Sequence, residues 1–290
     1  MPLTSFQSIP NMQVNATTMN NEMELKDHQH RKKQQVASQF NRAAHTYDEA
    51  ARIQHLSAIE LTQQLHVLQE SNNQVMSGCW LDLGCGTGFA VPSLINHGAE
   101  RVVGADLAQG MCNISNAKLT QLPFAAVTCD AENLPFINNS FEGIYSNLMI
   151  QWSENLEDLF YEAKRVLKPG ALFAFSTLGP KTMHELKSAW QKVDPYVHVN
   201  QFNDKSNLIK SCEKFFTIES IHQQQIVQQH SGLSPLLKEL KAIGATNVNP
   251  GRRPGLGGRE RLRQLEQAYQ QLTGDSLALT YDLIWIIARA

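Results

Sequence analysis

Apolar and polar positions follow two different periods along this 290-residue chain. From Val36 to Leu68 apolar residues recur at steps of three and four, which predicts two amphipathic helices. Between 79 and 178 short apolar runs alternate with helical stretches, and this alternation predicts a parallel sheet covered by helices on both faces. The predicted strands are "CWLDLG", "RVVGAD", "FAAVTCD", "FEGIYSNL" and "ALFAFST", whose near-continuous apolar character fits burial on both sides.

Helices are predicted between these strands and after them. They lie at about 89–97, 108–119 and 154–167, and the last is capped by Ser153 and stopped by Lys168-Pro169-Gly170. Past Leu178 the alternation breaks, with a helix and loop inserted at 180–212. The pattern "FFTIESIHQQQIV", helices at about 233–243 and 259–272 and a closing strand "LALTYDLIWIIA" complete the chain.

The composition argues against nucleic-acid-binding, membrane-spanning and secreted proteins. A hydrophobic content of 42% is enough for a core, and a net charge of −2 gives no general attraction to nucleic acid. No apolar run reaches membrane-span length, and the N-terminus does not read as a secretory signal. The five cysteines contain no C-x-x-C pair, so they indicate buried thiols in a reducing cytoplasm rather than a disulfide or metal framework. We therefore expect a cytoplasmic protein without nucleic-acid or membrane partners.

The chain is expected to form one domain behind a tail. Residues 1–30 are rich in Asn, Gln, Met and Thr and have too little apolar surface to order themselves, so a disordered tail is predicted. Residues 31–290 then form the folded domain, which opens with N-terminal helices at 31–72.

A glycine-rich turn follows the first strand in "LDLGCGTGFA", with the spacing Gly84-x-Gly86-x-Gly88. A phosphate-binding P-loop would need a lysine after these glycines, and none is present. The dinucleotide fingerprint would need its third glycine at position 89, where the chain has Phe89. The turn still allows a ligand to approach the backbone closely.

Carboxylates surround this turn at the ends of predicted strands. Asp106 ends the second strand, 22 residues after Gly84, where it can accept hydrogen bonds from two ribose hydroxyls, as acids in NAD sites also do. Asp130 ends the third strand and can accept from an adenine amino group, while Asp82 lies beside the turn. Basic residues for a pyrophosphate are lacking. This set suits a nucleoside that carries a cation and an amino group, S-adenosylmethionine.

Five segments, "LDLGCGTG", "GADLAQGM", "CDAENLPF", "FEGIYSNL" and "RVLKPGALFAF", resemble in order the motifs of class I methyltransferases. The resemblance covers about residues 75–180. It implies an α/β, Rossmann-like fold with a mostly parallel seven-stranded sheet and helices on both faces. The residues expected to bind the methyl donor are Asp82, Gly84, Gly86, Gly88, Asp106, Leu107, Asp130, Ala131 and Asn147.

Six further segments are more specific, and they run from about Val36 to the C-terminus. "FNRAAHTYDEAA", "SNLMIQW", "STLGPKTMHELKSAW", "HVNQF", "LKAIGATNVNPGR" and "LTYDLIWIIA" resemble the malonyl-acyl carrier protein O-methyltransferases of biotin synthesis. The resemblance implies methylation of the free carboxylate of a malonyl thioester, which gives an ester that can be elongated towards a pimeloyl chain. It also implies acceptor-side lid or insertion segments at 180–212 and 231–275.

This reaction needs groups that bind and orient the carboxylate, and it needs no general base. A carboxylate that titrates near 4 is already an ionised nucleophile at pH 7. A mixed set of hydrogen-bond donors is expected, since a tight arginine pair would weaken the nucleophile. Packing explains the presence of Tyr47 and His198 as well as substrate contact does. Trp152 is better explained as a residue that lines the pocket than as one that reacts. The candidates are Tyr47, Gln151, Trp152, His198 and Asn200.

A basic cluster offers a docking surface. Residues 251–263 hold five arginines against one acid, and Arg252, Arg253 and Arg259 are expected to attract an acidic acyl carrier protein. The alternative interpretation of each arginine is that it lies on a solvated helix face and binds no partner. Two alternative functions also stay open, namely a class I methyltransferase for another small acceptor such as a quinone precursor, and a non-catalytic protein that binds S-adenosylmethionine.

Overall fold

A seven-stranded sheet with the order β3-β2-β1-β4-β5-β7-β6 forms the centre of the molecule. The computed structural model describes residues 32–244, 258–274 and 276–290. Strands β1 to β5 are parallel and β7 is antiparallel to both of its neighbours, which confirms the predicted mostly parallel seven-stranded sheet. The strands are β1 Cys79–Leu83, β2 Arg101–Asp106, β3 Phe124–Thr128, β4 Phe141–Ser146, β5 Leu167–Leu178, β6 Thr217–His230 and β7 Leu277–Arg289.

Helices cover both faces of the sheet. Along β5, alternate side chains enter opposite cores, Ala174 on one face and Phe173 and Phe175 on the other, as the two-residue period of a strand requires. One face packs against α3, α4, α7, α9 and α10, and the other packs against α6 and α8. The helices are α1 (32–43), α2 Tyr47–Ala50, α3 Arg52–Ser71, α4 Val91–Asn96, α5 Gln109–Lys118, α6 Leu156–Val166, α7 His184–Gln191, α8 Lys205–Glu213, α9 Leu233–Ala242 and α10 Arg259–Thr273.

One local prediction at α6 is wrong, namely its N-cap. The N-cap is Asn155, whose side chain accepts hydrogen bonds from the amides of Glu157 and Asp158, whereas the Ser153 hydroxyl donates to Glu132. Helix α6 ends at Val166, before Lys168-Pro169-Gly170 as predicted, and these three residues lie within β5, which begins at Leu167, earlier than the predicted strand "ALFAFST". An irregularity in the β4–β5 pairing accommodates the extra residues there, a position in a sheet that tolerates proline.

The segments outside the central alternation pack around one edge of the sheet. The predicted insertion at 180–212 contains α7, a loop and most of α8, and the segment 231–275 contains α9 and α10. The predicted tail (residues 1–30), Arg252 and Arg253 lie outside the described residues. Among the helices that the structure describes, none is long and apolar enough to cross a membrane.

Candidate active site

A cavity opens at the carboxyl edge of the parallel strands, where open α/β sheets bind ligands. It holds about 1100 Å³ of empty volume, part of which is open solvent. Helix α1 and the N-terminal half of β7 complete its walls. The predicted residues that line it are Tyr47, Gly84, Gly86, Asp106, Leu107, Asp130, Ala131, Asn147, Gln151 and Trp152.

The glycine turn after β1 approaches the cavity with its backbone. Gly84, Gly86 and Gly88 all have positive φ, at 78°, 52° and 79°, which favours glycine at each position. A Cβ on Gly84 would lie 2.4 Å from the Met149 side chain, whereas one on Gly86 would meet no atom within 4 Å. Gly84 is therefore required by packing, while Gly86 leaves open space beside the cavity. Gly88 does not line the cavity.

Asp106, at the end of β2, holds this turn in place. Its two carboxylate oxygens accept hydrogen bonds from the amides of Gly86 (2.9 Å) and Ala108 (2.8 Å). Burial raises the pKa of Asp106, although these backbone amides oppose the effect by stabilising the charged form. Because each carboxylate oxygen has a second lone pair, Asp106 can still accept from ribose hydroxyls in the cavity.

Asp82 lies behind the turn on β1 and is only 2% exposed. Burial, reinforced by the charge of Asp106, raises the pKa of Asp82 to about 7. Its Oδ2 atom has no hydrogen-bond partner among the described residues. The carboxylate of Asp106 at the cavity and that of Asp82 behind it attract a cation, so the site fits the sulfonium and ammonium groups of S-adenosylmethionine better than a pyrophosphate. Asp82 itself does not line the cavity.

Asp130 lies past the end of β3, and its carboxylate is partly engaged within the protein. Lys33 of α1 places its Nζ 2.7 Å from one oxygen of Asp130 and 2.6 Å from Glu132. The other Asp130 oxygen accepts from the Glu132 amide at 3.0 Å. Lys33 was not a predicted site residue, because it lies far from Asp130 in the sequence. The adenine-binding role of Asp130 stays a prediction.

Two amide side chains after β4 brace the cavity wall. Asn147 donates to the carbonyl oxygen of Gln54 (2.9 Å) and accepts from the Ser176 hydroxyl (2.8 Å). Gln151 donates to the carbonyl oxygen of Leu148 (2.6 Å) and accepts from Thr177. Leu148 between them has a φ of 51°, which is a strained value for leucine, and such outliers cluster at functional sites. Both predicted residues therefore hold the wall in shape, and their binding roles stay predictions.

Aromatic residues wall the part of the cavity near α1 and α2. The ring of Phe40 meets Trp152 edge-on at 5.3 Å between centroids and lies 6.3 Å from Tyr47. Burial and the nearby charges of Asp106 and Asp48 raise the pKa of Tyr47, so its hydroxyl stays protonated at neutral pH. Tyr47 and Trp152 are thus placed where they can contact an acceptor.

His198 and Asn200 do not line the cavity, and their contact with an acceptor stays a prediction. His198 stacks on Trp190 with 3.7 Å between ring centroids, and its Nε2 atom lies 2.8 Å from Asp194. Asp194 also forms an ion pair with Arg261 of α10. These contacts fasten the loop between α7 and α8 to α10. The sequence could not show this, because the partners meet only in the folded chain.

Several residues that line the cavity were not predicted. Tyr281 lies in the predicted closing strand and Gln54 in a predicted amphipathic helix, and the sequence singled out neither residue. The one sequence signal for Tyr281 was its place in "LTYDLIWIIA", which resembles the family, and Gln54 lies outside the quoted segments. The unpredicted residues that matter most are Lys33, Phe40, Gln54, Leu148, Met183 and Tyr281.

Comparison with known proteins identifies the family. A model described as "Methyltransferase domain" matches residues 81–175. The malonyl-[acyl-carrier protein] O-methyltransferase of Methylovorus sp. (strain MP688) is 34% identical, over 87% of this chain and 87% of the relative. The chain belongs to the malonyl-[acyl-carrier protein] O-methyltransferase family. The match to residues 81–175 shows a methyltransferase domain in the chain, as the class I motifs predicted.

Other relatives are longer or more distant. The biotin biosynthesis bifunctional protein BioHC of Cellvibrio japonicus is 39% identical over 88% of this chain. This chain spans about half the length of that bifunctional relative, since the match covers 50% of it. Among solved structures, the YcgJ protein from Bacillus subtilis matches 79% of this chain and 97% of its own chain. Its TM-score is 0.58 at 15% identity, and the likeness supports the fold.

Proposed function

We propose that this protein transfers the methyl group of S-adenosylmethionine to the free carboxylate of a malonyl thioester carried by acyl carrier protein. The product would be the malonyl methyl ester that primes pimeloyl synthesis for biotin. The similarity to malonyl-[acyl-carrier protein] O-methyltransferases over most of both chains carries this proposal. The cavity supports it, because residues suited to the methyl donor and to an acceptor line one space.

The chain has the residues to hold the methyl donor. Asp106 would accept from the ribose hydroxyls, Asp130 from the adenine amino group, and Gly86 would let the backbone approach the ligand. The buried carboxylate of Asp82 would stabilise positive charge nearby. When bound, S-adenosylmethionine supplies an electrophilic methyl group on a positively charged sulfur.

The acceptor side suits an ionised carboxylate. Among the cavity residues that the structure describes, the one basic side chain is Lys33, and it is paired with Asp130 and Glu132. A malonyl carboxylate would therefore meet neutral groups such as the Tyr47 hydroxyl and the Trp152 indole, which orient it without forming an ion pair that would weaken it as a nucleophile. No general base is required, and orientation can contribute about 7–11 kcal/mol to catalysis.

The carrier protein would dock near the entrance on basic residues. Arg259 is exposed at the first position of α10. Arg252 and Arg253 are part of the same basic segment, although they lie outside the described residues. An acidic carrier would gain mainly association rate and orientation from such a surface.

The test is methyl transfer from labelled S-adenosylmethionine to malonyl-acyl carrier protein. We expect a methyl ester that base hydrolyses, and no labelling of acetyl-acyl carrier protein, which lacks the free carboxylate. Malonyl coenzyme A in a parallel reaction measures the preference for the carrier. If the protein binds the methyl donor by calorimetry yet forms no ester with either malonyl thioester, the proposed function is wrong. Methylation of a quinone precursor instead would support the alternative acceptor.

A further inference from the structure

The hydroxyl of Tyr281 is a buried polar group that the site described above leaves unused. Tyr281 lies on β7, is 2% exposed and lines the cavity. Its hydroxyl has no hydrogen-bond partner among the residues that the structure describes. Two other buried tyrosines differ, because Tyr145 donates to the Ala58 carbonyl oxygen (2.9 Å) and Tyr269 to that of Ala278 (2.7 Å). A buried hydroxyl without a partner is costly, which indicates a partner that arrives with a ligand.

The position of Tyr281 is held rigidly by its neighbours in the chain. The Thr280 amide donates to the Glu185 carboxylate at 3.1 Å, and the Asp282 amide donates to the Thr182 hydroxyl at 3.0 Å. These bonds join β7 to the loop and helix that follow β5. Tyr281 therefore cannot move easily to find a partner within the protein.

Sheet topology places Tyr281 on the acceptor side of the cavity. Strand β7 pairs antiparallel with β5, and Leu283 is opposite Leu178 at the carboxyl end of β5. Because β4 and β5 lie between β1 and β7, Tyr281 is separated from the glycine turn and lies still further from Asp106. Burial, with a contribution from Glu239, raises the pKa of Tyr281, so the hydroxyl remains a hydrogen-bond donor at neutral pH.

We propose that the Tyr281 hydroxyl donates a hydrogen bond to the carboxylate of the acceptor and thereby selects thioesters that carry a free carboxylate. This inference rests on the proposed function. The predicted amides of Asn147 and Gln151 already bond to the protein, whereas the Tyr281 hydroxyl is a neutral donor without a partner among the described residues. A neutral donor orients the carboxylate and leaves its charge available for attack on the methyl group.

Tyr281→Phe in the full chain tests the bond, because it deletes one hydroxyl and keeps the ring. We expect kcat/KM for malonyl-acyl carrier protein to fall about 10- to 100-fold, the range expected for a lost hydrogen bond to a charged group. Affinity for S-adenosylmethionine, measured by calorimetry, should stay within twofold. Inhibition by acetyl-acyl carrier protein should also be unchanged, because that ligand lacks the carboxylate.

Thermal denaturation separates this role from a structural one. Tyr281→Phe should keep or raise the midpoint, because the deleted hydroxyl has no partner, whereas Tyr269→Phe should lower it by removing the bond to Ala278. Tyr161→Phe, at an exposed position on α6, serves as the matched control with unchanged kcat/KM.

Three results would overturn the inference. They are wild-type kcat/KM in Tyr281→Phe, a midpoint lowered as in Tyr269→Phe, and equal weakening of acetyl-acyl carrier protein binding. Absence of ester formation by the wild-type protein is a different result, because it removes the proposed function and the Tyr281 bond together.

Discussion

Replacing Gly86 by alanine places one methyl group beside the cavity. Gly86 has a φ of 52°, and the added Cβ would have no heavy atom within 4 Å. Because Gly86 lines the cavity and its amide is held by Asp106, the methyl group would take space that we assign to the methyl donor. The substitution should therefore impair binding more than folding.

Two separate free-energy terms decide the size of the effect. Alanine at a left-handed position costs about 1–2 kcal/mol of stability. Gly170 provides a matched control, since its φ is 78°, its added Cβ also meets nothing within 4 Å, and it lies at the start of β5 away from the cavity. Crowding of the ligand by the Gly86 methyl group should add about 1–3 kcal/mol to the binding free energy. That corresponds to a Kd raised about 5- to 150-fold.

Calorimetric titration with S-adenosylmethionine and urea denaturation measure the two terms independently. Gly86→Ala and Gly170→Ala should lose similar free energies of unfolding, and only Gly86→Ala should bind the methyl donor more weakly. Equal Kd values for the two variants would refute the assignment of this space to the donor. Gly84→Ala should be the most disruptive, because its Cβ would lie 2.4 Å from Met149.

Three further predictions concern Asp106, Asp82 and Asn155. Asp106→Asn should raise the Kd for S-adenosylmethionine at least about 10-fold in calorimetry, because a charged acceptor of the ribose hydroxyls is lost. Burial raises the pKa of Asp82 to about 7, so the folded protein holds this proton more tightly than the unfolded chain. The free energy of unfolding should therefore fall by up to about 4 kcal/mol as pH rises from about 4 to 7, and Asp82→Asn should remove that fall. Asn155→Ala should lower the free energy of unfolding in urea by about 1 kcal/mol, because two amides of α6 lose their cap.

Each of these three predictions has its own control or contradicting result. Asp158→Asn is the control for Asp106→Asn, because it makes the same chemical change at an exposed position of α6. It should leave the affinity for the methyl donor unchanged. If Asp106→Asn also leaves this affinity unchanged, the assignment of Asp106 to the ribose is wrong. A free energy of unfolding that falls equally with pH in Asp82→Asn would assign the titration to another group. Should Ser153→Ala destabilise α6 more than Asn155→Ala, the cap identified in the structure would be wrong.

The cavity residues that we assign to the methyl donor were largely predictable from the sequence. Its glycines and acids lie in short segments directly after strands, and the carboxyl ends of parallel strands meet at one edge. Asp106, Gly84 and Gly86 therefore line the cavity as their positions in the motif predicted. Burial alternation and helix spacing likewise placed most of the strands and helices within a few residues of their observed bounds.

Other features in and around the cavity depended on contacts between distant segments. His198 was a reasonable candidate by residue type, yet the folded chain stacks it on Trp190 and bonds it to Asp194. Lys33 pairs with Asp130 across 97 positions of the chain. The register of β7 against β5 decides that the Tyr281 side chain lines the cavity while its hydroxyl meets no partner among the described residues.

The sequence alone was sufficient for the fold class, the order of the elements and the glycine-rich motif that lines the cavity, because each of these is encoded by neighbouring residues in a local pattern. Only the tertiary structure decided which side chains line the cavity and which of them form hydrogen bonds within its walls. It also decided which buried hydroxyl lacks a partner among the described residues. Those properties depend on long-range packing and on hydrogen-bond competition, and neither leaves a local pattern in the chain.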